Sequence, residues 1–336
     1  MHNPIRIEDV ARAAGVSTAT VSRALSRPER VRDATRAKVQ QAVQKLGYVP
    51  DAAGRALASG RTRTVGCVIP TLDHAIFARS THALQMALAA AGYQLLVASH
   101  NYDPDAEGDL VRALQQRGVD ALVLVGTGHH KALWKNLLQW RNPVLLTWSC
   151  DPRLPSVGFD NAEIASMAAR YLIDLGHRRI GMISGHTEHN DRALARLEGL
   201  RATLKTAGLK LPSEWVSLQA LNIAGGRLGL QQLFAGKRRP TAIVCGNDLL
   251  AAGALFEAQR MGIEVPQALS ICGIDNHELG AETNPALTTI ALPTEALGRI
   301  AAAQVLAALA GHPIAQQSLL PFELLVRGTT ARVATT

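Results

Sequence analysis

Ile7-Glu8-Asp9-Val10-Ala11-Arg12-Ala13-Ala14-Gly15-Val16-Ser17-Thr18-Ala19-Thr20-Val21-Ser22-Arg23-Ala24-Leu25 reads as a helix, a tight turn and a second helix. Ile7, Val10, Ala11 and Ala14 fall three and four residues apart, the spacing of one helical face. Gly15 breaks that spacing, and Ser17 or Thr18 can cap a second helix with Val21 and Leu25 on one side. Val10, Ala14, Val16, Val21 and Leu25 can then pack inward. Ser17, Thr18, Ala19, Thr20, Ser22 and Arg23 are left at the outer start of the second helix. Small side chains there let a helix approach closely a DNA major groove ~12 Å wide, hydroxyls can hold phosphates, and Arg23 offers a bidentate donor to guanine or phosphate.

The surrounding residues extend this reading. A third helix is expected over roughly 33–46, with Val39, Val43 and Leu46 on one face and Gly47 as its stop. Residues 1–64 contain 12 Lys+Arg against 5 Asp+Glu, whereas residues 65–336 contain 23 against 22. Nearly the whole net charge of +8 therefore sits in the first fifth of the chain. A small basic module on a near-neutral body suits a polyanionic partner.

This stretch resembles the helix-turn-helix of the lactose-repressor (LacI/GalR) family, whose pattern D-V-A-x-x-A-G-V-S-x-x-T-V-S-R-x-L is matched at every fixed position. The resemblance continues through Tyr48, Pro50, Asp51, Gly54, Arg55 and Leu57, similar to the family's hinge Y-x-P-N-x-x-A-R-x-L. It implies that Arg55 and Leu57 join the DNA-contacting residues. Leu57 would be the apolar wedge at a minor-groove base step, where unstacking is repaid by extra contact. Asp51 stands where the pattern has asparagine. Gly54 stands where it has alanine, a change that costs a helix ~1 kcal/mol. The expected division is a head over 1–50, a hinge over 51–64 and a body over 65–336.

From residue 65 apolar runs alternate with amphipathic stretches. Strands are expected at Val65–Ile69, Gln94–Ala98, Ala121–Val125, Val144–Thr147, Ile180–Ser184, Ala242–Cys245 and Leu269–Ile274, with helices such as Arg79–Ala91 and Asp105–Arg117 between them. This alternation predicts an α/β body of parallel sheets covered on both faces. Ligands of such sheets bind at the carboxyl ends of the strands. The resemblance implies two subdomains of the kind found in periplasmic sugar-binding proteins, with chain crossings near 159, 290 and 320.

The same resemblance nominates effector-binding residues. Asp73 and Phe77 follow the first strand, Trp148 ends another, and Arg196 lies in an R-x-x-G motif. Asn247 and Asp248 form an N-D motif, and Asp275 ends a G-x-D motif. Polyols need paired hydrogen bonds and an apolar platform for their C–H faces, which Arg196 with Asp275, and Phe77 with Trp148, can supply. Plainer roles remain open. Asp248 can serve only as a helix cap, Phe77 and Trp148 as core aromatics, and Arg196 as an ion-pair partner.

Enzyme motifs are poor. Gly236-Lys237-Arg238 lacks P-loop spacing, and Gly225-Gly226-Arg227-Leu228-Gly229 reads as a helix start. His186-Thr187-Glu188-His189 has no further His or Cys to complete a metal set and reads as a loop at a cleft rim. Cys67, Cys150, Cys245 and Cys272 form no CxxC pair, which points to free thiols and a reducing compartment. No run reaches the ~18–20 apolar residues that span a bilayer. The expectation is a cytoplasmic homodimeric transcription regulator, without cofactor or metal, that reads double-stranded operator DNA and answers to a sugar or sugar acid. An uncharged sugar is favoured, because Asp73 and Asp275 would repel an anion. A tetramer is not expected, because no leucine-heptad tail follows Arg327-Gly328-Thr329-Thr330. The alternatives are a sugar-processing α/β enzyme and a sugar carrier.

Overall fold

The computed structural model describes residues 5–26, 30–49 and 60–333. Contacts divide the chain into a first unit, residues 1–64 with Gly118–Asp120, and a second unit holding the rest. The hinge residues Asp51, Gly54, Arg55 and Leu57 lie outside the described residues.

Among the described residues the head is three helices, α1 (Ile7–Ala14), α2 (Thr18–Ser26) and α3 (Asp33–Leu46). The Asp9 carboxylate accepts the Arg6 backbone N–H at 3.0 Å, which starts α1. Gly15, at φ 65°, ends it in the left-handed region that glycine enters without penalty. Val10, Ala14, Val21, Ala24 and Val39 close the core, with Val16, Leu25 and Val43 half-buried around it. The fully buried residue late in α2 is thus Ala24 rather than Leu25.

The body contains two six-stranded sheets. The first is built from β1 (Thr64–Ile69), β2 (Gln94–Ser99), β3 (Ala121–Val125), β4 (Val144–Trp148), β5 (Ser156–Gly158) and β11 (Gln317–Leu319), in the order β11-β5-β4-β3-β1-β2. The second comprises β6 (Ile180–Gly185), β7 (Val216–Gln219), β8 (Ala242–Cys245), β9 (Ser270–Asp275), β10 (Thr288–Ala291) and β12 (Glu323–Leu325), in the order β12-β10-β9-β8-β6-β7. The pairings β1–β3, β3–β4, β6–β8, β8–β9 and β9–β10 are parallel, and β12 joins β10 antiparallel. Helices on both faces bury every residue of β3, β4, β6, β8 and β9, which is why those runs are mostly apolar. The short strands β5, β7, β10, β11 and β12 were not expected from sequence. Three or four residues give too few alternations to read as a period.

The chain changes sheet three times, at 159–160, at 292–293 and at 320–322, so each subdomain is assembled from separated segments. Beside the sheets lie α4 (Ala75–Ala90), α5 (Pro104–Gln116), α6 (Lys131–Gln139), α7 (Asn161–Asp174), α8 (Asp191–Thr206), α9 (Ile223–Phe234), α10 (Asp248–Arg260), α11 (Glu278–Glu282) and α12 (Thr294–Leu309). Two close helix contacts position the site. A Cβ at Gly199 on α8 would strike the Ala162 carbonyl of α7, and one at Gly298 on α12 would strike the Ser80 carbonyl of α4. Glycine at each place lets the backbones touch. The α7–α8 contact is what brings Arg196 within reach of Asn161, where its Nε donates to Asn161 Oδ1 at 3.1 Å.

Candidate functional site

On α2 the side chains of Ser17, Thr18, Ala19, Ser22 and Arg23 are exposed and Thr20 is half-buried. Ser17 Oγ accepts the Thr20 N–H at 3.2 Å and shares a 2.9 Å hydrogen bond with Thr20 Oγ1. Ser17 therefore caps the helix, and one hydrogen-bonding position of each hydroxyl is already used. Ala19 opens a methyl-sized gap beside the Arg23 side chain, four residues on along the same face. The face has the small-then-basic character that a helix needs to sit deep in a groove.

In the body, the carboxyl ends of strands from both sheets meet around a cavity. Phe77 of α4, Trp148 ending β4, Arg196 of α8, Asn247 after β8 and Asp275 ending β9 all line it. The structure thus brings together five of the seven residues nominated from sequence. Phe77 and Trp148 are each 2% exposed, and their rings meet edge to face at 5.0 Å. They are core aromatics that also form the apolar wall of the cavity, so the two readings coincide.

Two nominated residues lie elsewhere. Asp73 is exposed and outside the lining. Its N–H donates to Thr71 Oγ1, and the neighbouring His74 lines the cavity instead. Asp248 sits behind the wall: Oδ1 accepts from Thr289 Oγ1 at 2.7 Å and Oδ2 accepts from the His277 N–H at 2.7 Å. It ties α10 to the loop after β9 and leaves the cavity to Asn247. Asn247 Oδ1 caps α10 through the Leu250 N–H at 2.9 Å.

Sequence reasoning missed Tyr102, Asn190 and Arg192, which share the lining. Arg192 precedes Arg196 by four residues on α8, so helical spacing alone places both on one face. Arg192 pairs with Asp191 at 2.8 Å, donates to the Tyr102 hydroxyl and lies 5.9 Å from the Phe77 ring centre. Tyr102 had no such signal, because a left-handed φ of 62° turns it toward the cavity. Asp191 Oδ2 accepts from Thr127 N and Oγ1 at 3.1 and 3.0 Å, a bond between the two subdomains. Burial pushes the Asp191 carboxyl up, but Arg192 with the Ser149 and Thr127 donors brings it below its ordinary value.

The centre of the cavity is electrostatically unusual. Arg196 is 7% exposed and spends its Nη1 donor on the Gly246 carbonyl at 2.7 Å. Burial pulls its guanidinium down, against the Asp275 carboxylate nearby. Asp275 is also 7% exposed, its Oδ1 is buried without a hydrogen-bond partner, and its φ is 115°. Burial pushes its carboxyl up to about 8, only partly offset by Arg196. A non-glycine residue at positive φ that also leaves a polar atom unsatisfied costs stability, and such costs cluster at ligand sites.

This shift has a measurable consequence. An unfolded aspartate titrates near pH ~3.9. Between that value and about 8 the folded chain holds a proton on Asp275 that the unfolded chain has released. Stability therefore falls as pH rises through this window. The thermal midpoint of the unliganded chain is expected to drop more steeply from about pH 5 to about pH 8 than that of Asp275→Asn, and the difference isolates this residue from His74, His100 and His177, which burial lowers and which act in the opposite sense. Parallel midpoint curves would contradict the assignment.

Among the described residues no group of His, Cys, Asp and Glu could hold a metal ion, and no helix is long and apolar enough to cross a membrane. His186, Glu188 and His189 are exposed on the loop between β6 and α8. The Gly225–Gly229 segment is the first turns of α9, capped by Asn222.

Comparison with known proteins adds independent findings. Residues 6–51 match the description "Bacterial regulatory proteins, lacI family", and residues 169–330 match "Periplasmic binding protein-like domain". The chain is 33% identical over 329 residues to the HTH-type transcriptional repressor CytR of Escherichia coli, covering 96% of each chain. It is 35% identical over 299 residues to the HTH-type transcriptional repressor PurR of Erwinia tasmaniensis, covering 88% of this chain and 87% of that one. A LacI-family transcriptional regulator from Silicibacter pomeroyi superposes with a TM-score of 0.87 at 27% identity, over 97% of this chain and 99% of that one.

Proposed function

The chain belongs to the lacI family of bacterial regulatory proteins, and from that membership we propose that its body cavity binds a small uncharged polyhydroxylated effector that controls operator binding by the head. It is a DNA-binding transcriptional regulator rather than an enzyme, as are the repressors it is similar to. The observation that carries the effector reading is Asp275, a buried carboxyl with an unpartnered oxygen facing the same cavity as Arg196 and Asn247. A ligand hydroxyl supplies the missing partner, and the Phe77–Trp148 wall receives the C–H face of a ring. An anion is disfavoured because Asp191 already neutralises Arg192.

Thr18, Ala19 and Arg23 face base edges in this reading, with Ser17, Thr20 and Ser22 on phosphates and Arg55 and Leu57 completing the contact from the hinge. The active species is a cytoplasmic homodimer on a near-palindromic site, since one short helix touches too few base pairs to specify an operator alone. Exposed Leu96 and Val97 on the edge strand β2, with Met86 on α4, are apolar surface that a second copy would cover.

The test is a thermal-shift screen of sugars and sugar acids, followed by operator binding with and without each hit, and light scattering at micromolar protein. The expected result is a dimeric mass and at least one neutral sugar that both raises the midpoint and changes operator affinity. A monomeric or tetrameric mass would overturn the dimer. Hits confined to acids would overturn the neutral class.

A further inference from the structure

His100, His129, His130 and His189 stand where the two subdomains meet, outside the lining of the cavity. His100 follows β2, and His129 and His130 lie between β3 and α6, all on the first subdomain. His189 lies just before α8, on the second.

The side chains of His100 and His129 are buried around Glu107 of α5, itself buried. His129 Nδ1 is 3.0 Å from Glu107 Oε2. His100 Nε2 is 3.8 Å from Glu107 Oε1, too far for a hydrogen bond. Both ring nitrogens of His100 and Nε2 of His129 are buried without a hydrogen-bond partner. Such open nitrogens cost stability, so the cluster is a poor device for holding a fold together. The other two rings are exposed and face each other across the subdomain boundary, with centroids 5.5 Å apart.

We propose that the contact between the two subdomains is a proton-controlled clasp: protonation of the buried His100–His129 pair, and of the His130–His189 pair across the boundary, separates the subdomains. The inference needs no effector and stands apart from the reading of the cavity.

The sign follows from which charges move together. Glu107 belongs to the same subdomain as His100 and His129, so it favours their protonation in either arrangement. Arg192 belongs to α8 of the second subdomain. Burial holds the His100 imidazole below its ordinary value, Glu107 pulls it up, and Arg192 and His129 push it down again. Moving α8 away removes the Arg192 charge and leaves Glu107 in place. The separated arrangement then binds the proton more tightly, and falling pH favours it.

The outer pair acts in the same sense. Asp105 Oδ1 is 3.7 Å from His130 Nδ1, and Glu188 Oε1 is 3.7 Å from His189 Nε2. Each acid sits on the subdomain of its own ring and favours a proton there in either arrangement. Two charged rings 5.5 Å apart repel, and separation relieves that repulsion.

The other charged groups at the junction do not reverse the sign. Asp191 pairs with Arg192 and moves with it, its Oδ2 held by Thr127 of the first subdomain. Asp151, held by Arg153, and Trp134 are the further neighbours of His129, and both belong to its own subdomain. His74 has Asp73 of its own subdomain as its charged neighbour. Tyr102 packs against His100 with ring centres 6.4 Å apart, and Arg192, Arg196 and Asp275 act on its hydroxyl. Asp275 is the junction group that needs a control, since its carboxyl is pushed up to about 8.

The experiment is double electron–electron resonance on the full, unliganded chain, spin-labelled at Gln139→Cys on α6 and Lys205→Cys on α8. Both positions are exposed, and Cys150→Ser removes the one free thiol among the described residues that is not buried. Labelled chain is diluted into unlabelled chain so that each distance lies within one copy. From about pH 8 to about pH 5.5 the population at a longer distance is expected to rise about threefold or more, relative to the short one. The His130→Asn, His189→Asn double variant, made at exposed rings, is expected to cut that response about twofold or more, and adding His100→Phe to remove most of the remainder. Asp275→Asn is expected to keep the response in full. Distances that stay fixed or shorten on acidification would overturn the clasp. So would a response unchanged in the His130→Asn, His189→Asn variant, which tests the proposal even if the buried substitution does not fold. A response lost in Asp275→Asn would assign it to that carboxyl and overturn the histidine clasp.

Discussion

Asp275→Ala is expected to make operator binding blind to the effector. Titrations with and without it should superimpose, whereas the unaltered chain should show the five- to 150-fold change that a coupling of ~1–3 kcal/mol produces. The effect is large because Asp275 holds three properties in one side chain. It ends β9 on the second subdomain, it lines the cavity, and its Oδ1 has no protein partner to keep it occupied. A ligand shifts a two-state equilibrium only through its differential affinity for the two states. Contacts confined to one subdomain are the same in both states. Bonds from Asp275 and Arg196 on one side, against the Phe77–Trp148 wall on the other, depend on how the subdomains meet. The Asp191–Thr127 bonds also span the two subdomains, so they belong to one of the states being weighed. Fluorescence anisotropy on labelled operator, with an effector found by screening, reads the outcome. If Asp275→Ala responds like the parent, the effector binds outside this cavity.

Arg23→Ala should weaken operator binding by ~1–3 kcal/mol and relax the choice of base pair at its position. The side chain is exposed on the outer face of α2, and no described acid pairs with it. Its guanidinium is thus not committed to holding the head together, and its removal should leave the Val10–Val21–Val39 core intact. Competition with a library of single base-pair changes distinguishes two roles. Loss of preference at one or two positions marks a base contact. A uniform loss with a salt slope reduced by ~1 marks a phosphate contact and would sink the base assignment.

The head was almost entirely legible in the sequence. Helical spacing of Val10, Ala14 and Val21, a glycine at the turn and a capping hydroxyl at Ser17 are local signals, each acting over four residues or fewer, and the helices they specify are the helices found. The long buried strands were legible for a similar reason. A strand covered on both faces is mostly apolar, and β3 and β8 are apolar throughout.

The site divides differently. Phe77, Trp148, Arg196, Asn247 and Asp275 could be named because each falls at a position that resembles the family's ligand-site motifs. Which of the nominated carboxylates faces the cavity could not be read that way. Asp248 and Asp275 both stand at strand ends in sequence, yet Asp248 is taken up by Thr289 and His277 while Asp275 is left unpaired. Those partners lie 41 and 29 residues from Asp248, and no local pattern records them. Tyr102 belongs to the same class. The sequence by itself determined the head helices and the longer strands, because these answer to spacing among near neighbours. Only the tertiary structure decided which polar groups are satisfied and which wait for a ligand, because that depends on three crossings of the chain bringing distant strand ends to one place.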